Sequence, residues 1–139
     1  MFREIVQFIS DRTGFAIGTR IQAGHALQDA PVRMILINEY GGVTNFYPNT
    51  DVMDVAIQVL NRAATYFEAR EDAYAVFDAI HGQSGWTLPR IDGSGEDYLA
   101  MTIEAPFAPQ SLGQDDNRRF LFSTNYIFRM EQGSCGVSP

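Results

Sequence analysis

The stretch from Asp51 to Gly82, DVMDVAIQVLNRAATYFEAREDAYAVFDAIHG, changes hydrophobic period once, and that change limits the folds open to the chain. Val55, Ile57 and Val59 alternate with Ala56, Gln58 and Leu60, the two-residue period of a strand rich in β-branched side chains. Ala69, Ala73, Val76, Phe77 and Ile80 then recur at helical spacing, with Arg70, Glu71, Asp72 and Asp78 on the faces beside or opposite that stripe. Gly82 stops the helix, because glycine enters the left-handed cap at little cost. The pattern predicts a strand over 51–60, a turn at Asn61-Arg62, and an amphipathic helix over 66–81 that needs a sheet to lie on.

The rest of the chain supplies that sheet. Phe2, Ile5, Val6 and Ile9 mark one face of a short helix ending near Arg12, before Gly14; a helix this short must be docked to persist. Phe15 to Ala23 is a weak strand broken by Gly18. Val32 to Glu39 is a stronger one, apolar on both faces around Met34 to Ile37, and is expected to be central. Tyr40 to Thr50 and Gln83 to Asp97 read as loops, the latter plugging the edge of the core with Trp86 and Leu88. Tyr98 to Glu104 alternates, with Leu99, Met101 and Ile103 on one side. Leu112 to Arg119 is a charged turn leading into Phe120 to Met130, eleven residues of alternation. That strand spans about 36 Å, and its face of Phe120, Phe122, Thr124, Tyr126, Phe128 and Met130 should pack on the helices. Its simplest partner is 98–104, through a hairpin with a long tip. The expected fold is one α+β domain over 1–131, a largely antiparallel four- to five-stranded sheet with the main helix and the N-terminal helix packed on it. A tail over 132–139 without apolar pattern is expected to be mobile.

A chain of 139 residues makes one domain that buries about two-thirds of its unfolded surface. No apolar run approaches the ~20 residues that cross a bilayer, and MFREIVQFISDR mixes charges into its apolar residues, so an unexported, soluble protein is expected. A net charge of −7 argues against a free-standing nucleic-acid binder. All ten basic residues are Arg, which suits interfaces but also follows from biased codon usage, and both readings stand. The lone Cys135 excludes an intrachain disulfide.

Catalytic constellations are not found. His81, at the end of the main helix, reads as a structural cap in which an imidazolium gains from the helix dipole; His25 has no partner at ligand spacing. The acidic groups Asp51 with Asp54, Glu68 with Glu71 and Asp72, and Asp115 with Asp116 fall on helix surfaces or turns and read as solvated. Gly41-Gly42 and Gly93-Ser94-Gly95 are too short to cradle a phosphate, and no nucleophile elbow occurs. No enzyme, cofactor or metal is expected. What the chain has in surplus is aromatic residues and a charged tip from Gln114 to Arg119, which suit packing against other chains.

The order of parts resembles the tail terminator family of long-tailed bacteriophages, also called minor capsid or tail completion proteins. Three segments carry the likeness: Phe2 to Glu39 with Gly41-Gly42 after it, VAIQVLNRAATYFEAREDAYAVFDAI, and LGQDDNRRFLFSTNYIF. In the last, Gly113, Asp115, Asn117, Arg118 or Arg119, Phe120, Asn125 and Tyr126 match a family turn pattern; Arg62 matches a basic residue closing the earlier strand. The resemblance covers about residues 2 to 131. It implies a ring, commonly a hexamer, that caps the tail tube, stops its polymerisation and meets the capsid neck. Its partners would be further copies of itself, the tail tube protein and a neck or head-completion protein. DNA would pass an acidic lumen unbound. The protein would sit at the tail–neck junction of the virion, and in the host cytoplasm before assembly. A closed heterologous ring needs two complementary patches. Arg62, Arg118 and Arg119, beside Asp115 and Asp116, are assigned to one, and Glu68, Glu71 and Asp72 to the other. A neck connector, or a small α+β enzyme or ligand-binding domain, are the alternatives.

Overall fold

The computed structural model describes residues 2–25, 30–39, 52–91 and 97–131. The loop expected at 40–50 and the tail expected at 132–139 lie outside the described residues. In chain order the elements are α1 (Phe2–Thr13), β1 (Ile21–Ala23), β2 (Met34–Glu39), β3 (Val52–Ala63), α2 (Tyr66–Ile80), β4 (Ser84–Leu88), β5 (Tyr98–Glu104), β6 (Gln110–Gln114) and β7 (Phe120–Glu131).

Among the described residues one sheet of seven strands runs β1-β2-β3-β7-β5-β4, with β6 beside β7; β1–β2 is the one parallel pair of these strands. The architecture is the expected α+β one with more strands than the expected four or five. Its axis is β3 against β7, antiparallel in unbroken register from Val52↔Glu131 to Ala63↔Phe120. Two such strands hold each other along their full length, so every other strand is placed relative to them. On the far side of β7, the partner expected at 98–104 covers only half: β5 pairs with Ile127 to Glu131, and β6 takes Phe120 to Ser123.

Alternation then decides which side chains are inside. Phe122, Thr124, Tyr126, Phe128 and Met130 of β7 are buried, beside Val55, Ile57, Val59, Asn61 and Ala63 of β3 and Ile35 and Ile37 of β2. α2 lays Ala69, Ala73, Val76 and Ile80 on this face, and α1 adds Ile5, Val6, Phe8 and Ile9. Phe8 joins the two layers, edge-on to Phe128 at 6.3 Å and tilted against Trp86 at 5.6 Å. The ends of α2 are fixed by its own sequence. Thr65 caps the start, its Oγ1 accepting the Glu68 N–H at 3.2 Å and donating to the Glu68 carboxylate at 3.1 Å. Gly82, at φ +77°, turns the chain out of the helix as expected.

Several expectations are corrected. Asn61 and Arg62 are not a turn but strand residues, opposite Phe122 and Leu121, because β7 is long enough to carry β3 three residues beyond Leu60. The segment expected as a loop at 83–97 contains β4, whose Trp86, Thr87 and Leu88 pair with Ala100, Leu99 and Tyr98 along an otherwise free sheet edge. Leu112 to Gln114 belong to β6 rather than to the charged turn. In β5 the register against β7 shifts between Ala100 and Thr102, so Met101 is an extra residue that resets the alternation. Ala100 and Ile103 are therefore the buried pair, in place of Leu99, Met101 and Ile103. His81 is structural, but its Nδ1 accepts the Ala105 N–H at 3.0 Å and its ring stacks on Phe77 at 4.6 Å, so it works as an acceptor rather than as an imidazolium at that atom.

Asn61 is fully buried, and neither its Oδ1 nor its Nδ2 has a hydrogen-bond partner among the described residues. A polar group in that position costs desolvation with little return. Asn61→Leu, of the same branched shape, should raise stability by about 1–2 kcal/mol in chemical denaturation; an unchanged or lowered midpoint would show that the amide is satisfied in solution.

Candidate assembly surface

Seven of the eight residues assigned to contacts from sequence are surface or part-buried side chains at one end of the molecule, where β3 ends, β7 begins and α2 starts. Arg62 reaches back along the sheet: its Nε donates to the Val32 carbonyl at 3.0 Å and its Nη2 to that of Pro31 at 2.9 Å. Burial, and then the nearby charge of Arg119, push its pKa down, while Asp115 opposes them. The Asp115 carboxylate in turn shapes the β6–β7 turn, with Oδ1 accepting the N–H groups of Asn117 and Arg119 at 2.9 Å each. Those bonds, that from Arg119 first, hold its pKa below the ordinary 3.8. Arg118, exposed, sits at φ +61°, a left-handed conformation that a glycine or asparagine takes more readily. The turn therefore holds Arg118 outward at the cost of backbone strain, with Arg119 part-buried beside it.

The eighth residue behaves differently. The Asp72 side chain is only 3% exposed, not solvated as expected, and receives a forked pair of bonds from Arg33, Nε to Oδ2 and Nη2 to Oδ1, both at 2.9 Å. Arg20 adds a third bond at 3.0 Å and lays its guanidinium over Phe15 at 4.5 Å. Arg33 also reaches Glu68 at 3.3 Å and Glu71 at 3.8 Å, and its pKa is raised, chiefly by the bonds to Asp72. Asp72 thus clamps α2 to the segments entering β1 and β2.

The arginine set and the acidic set, assigned to two patches, form one corner: Arg62 holds residues 31–32, and the next residue, Arg33, holds the acids of α2. The same corner carries aromatic surface that the sequence reading passed over. Phe67 is 77% exposed and Tyr66 39%. Tyr66 meets Phe67, Phe120 and Phe122 with ring centroids 5.4, 6.0 and 5.2 Å apart, mostly edge-on. The signal was present in Thr65-Tyr66-Phe67-Glu68: a threonine N-cap fixes the helix start and so puts Phe67 opposite the Ala69/Ala73/Val76 stripe.

A second feature lies near the other end of α2, between α1 and β4: a pocket of about 350 Å³ lined by Phe8, Trp86, Leu88, Pro89 and Ile91 with Glu4, Gln7, Asp11, Arg12, Thr87 and Arg90 around them. Several of its polar groups have partners within the chain. Glu4 accepts the Ile91 N–H at 2.9 Å, Gln7 donates to Asp11 at 2.9 Å, and Arg12 lies 4.7 Å over Trp86 while bonding the Ala79 carbonyl. Arg90 lies over Tyr98 at 4.4 Å. Among the described residues no three His, Cys, Asp or Glu side chains come together as a metal site, and no helix is long and apolar enough to cross a membrane.

Two measurements test this geometry. Asp72→Asn should lower stability by about 2–3 kcal/mol, less than for a fully buried pair because both arginines keep part of their side chains in water; a loss under 0.5 kcal/mol would mean the clamp contributes little. The Asp115 carboxylate, with its pKa depressed, supports the turn above its unfolded value of about 3.9. That support disappears as pH falls through the folded pKa. The protection of the Asn117 and Arg119 amides, their exchange rates set against those of an unstructured peptide at the same pH, should therefore fall below about pH 4, and that fall should be absent in Asp115→Asn.

Comparison with known proteins places the chain. A family model described as "Bacteriophage tail terminator protein" matches residues 7–132. No curated protein matches the sequence. Among solved structures, a chain from the virion of a native gene transfer agent (GTA) particle aligns at a TM-score of 0.49 with 16% identity, over 88% of this chain and 84% of that one. The family match spans the sheet, the β3–α2 junction and the β6–β7 turn that form the corner, so the chain belongs to the bacteriophage tail terminator family, with a structural role in the tail.

Proposed function

We propose that this protein assembles head to tail into a closed ring, hexameric as the resemblance implies, that caps the tail tube, ends its polymerisation and joins the tail to the neck of the capsid. The observation that carries the reading is the corner at the start of α2. There a chain of net charge −7 brings Arg62 and Arg119 near each other where β7 begins, with Arg118 exposed between them in the turn, and leaves Phe67 and Tyr66 exposed at the start of α2; cations and aromatics at one end of the molecule fit a buried contact better than a free surface. Arg118 held at φ +61° adds to it, since strain of this kind collects at functional sites. Further copies of the chain, the tube protein and a neck protein are the partners under this reading. The surplus of acidic groups would line a lumen past which DNA slides without sticking. The site would be the tail–neck junction of the virion, with the host cytoplasm holding the protein before assembly.

Glu71, 77% exposed in its side chain, and the Asp115–Arg119 turn are free to meet a partner; Asp72 contributes by holding α2 in place. Tube protein polymerising in vitro should give tubes of arrested length when the purified chain is added, with the chain at one tip in electron micrographs. Arg118→Glu with Arg119→Glu should abolish the arrest while leaving the circular dichroism unchanged. Tubes that grow on undisturbed by the unmodified chain would move the role to a neck connector or overturn it.

A further inference from the structure

We infer that Phe67 of one copy inserts into the pocket between α1 and β4 of a second copy, with Arg70 of the first meeting Asp11 of the second. The inference rests on the ring reading and supplies what that reading lacks, the second of its two patches. A cyclic assembly joins two different surfaces, and the residues assigned from sequence occupy only one corner. Phe67 and the pocket lie toward opposite ends of α2: Arg12, on the pocket's rim, bonds Ala79, twelve residues and about 18 Å along the helix from Phe67. Both cannot therefore be covered by one small contact, and each is available to the other's complement in a neighbour.

Shape and charge agree. A cavity of about 150 Å³ lined by aliphatic and aromatic side chains accepts a benzene ring. The pocket, at about 350 Å³, has room for a phenyl group, with Phe8, Trp86 and Leu88 as walls. Phe67 projects opposite the buried stripe of α2, 77% exposed, and is steadied edge-on by Tyr66. Phe107 is nearly as exposed at 73% but lies in the connection between β5 and β6 rather than on a helix. Beside the knob, Arg70 has no ion pair among the described residues and only the Tyr74 ring beneath it, at 4.4 Å. On the pocket rim, Asp11 likewise has no cation partner among the described residues, only the Gln7 amide.

The test pairs cysteines, since Cys135 is the one native thiol. In a Cys135→Ser background, Phe67→Cys with Thr87→Cys should oxidise to a ladder of covalent multimers ending at the size of the ring. The two single variants mixed should stop at covalent dimers. Phe67→Ser, at an exposed site, should keep the fold by circular dichroism and weaken association about 30-fold or more. Arg70→Glu should weaken it about tenfold, and Asp11→Arg in the same chain should restore it. Rings of the unmodified chain by light scattering, together with no cross-link in the Phe67→Cys, Thr87→Cys variant or with cross-linking through Phe107→Cys and Thr87→Cys instead, would overturn this contact and leave the ring standing. An unmodified chain that stays single would remove the ring and this contact together.

Discussion

Everything in this structure is positioned by one antiparallel pairing, β3 against β7, in which twelve residues face twelve without a break. Because the pairing is continuous, the side of each residue is decided once for both strands, and a slip by one position would turn Tyr126 and Phe128 out of the core. The helices, the short edge strands and the β6–β7 turn all take their places from it. Burial around Tyr126 is complete enough that its phenol holds its proton well above the ordinary tyrosine range.

Against this rigid axis, the corner at the start of α2 is a place where polar chemistry has been bent to position. Asp72 is drawn inside and matched by two arginines, and Asp115 organises a turn that sets Arg118 in a strained backbone. The two carboxylates look alike in sequence and do opposite things. One fastens the helix to the sheet, and the other shapes a loop that faces outward. A surface of this kind, with aromatic rings left exposed at the same end of the molecule as a group of arginines, is consistent with a family whose members act structurally in phage tails.

How much of this was legible depended on whether local pattern or distant pairing decided the outcome. β7 and the two helices were readable because their periodicity is long and regular. The Asn61-Arg62 pair looked like a turn because both residues are polar; only the length of β7, sixty residues away, makes them strand. Likewise Ser84 to Leu88 and Gln110 to Gln114 carry weak strand signals and are extended because a neighbouring edge offers hydrogen bonds. In the corner, Arg62, Arg118 and Arg119 could be picked out as isolated charges. Arg20 and Arg33 could not, since their importance lies in reaching Asp72 from 52 and 39 residues away. Phe67 was legible in principle through the Thr65 N-cap, which fixes the helical phase.

The account's central claim is that the chain is built to bind copies of itself. Native mass spectrometry of the purified protein, titrated over concentration, addresses that claim most directly. The account predicts one dominant closed oligomer of fixed copy number that gives way to single chains on dilution, with no ladder of open intermediates. A single chain at every concentration, or an unlimited series of sizes, would contradict it.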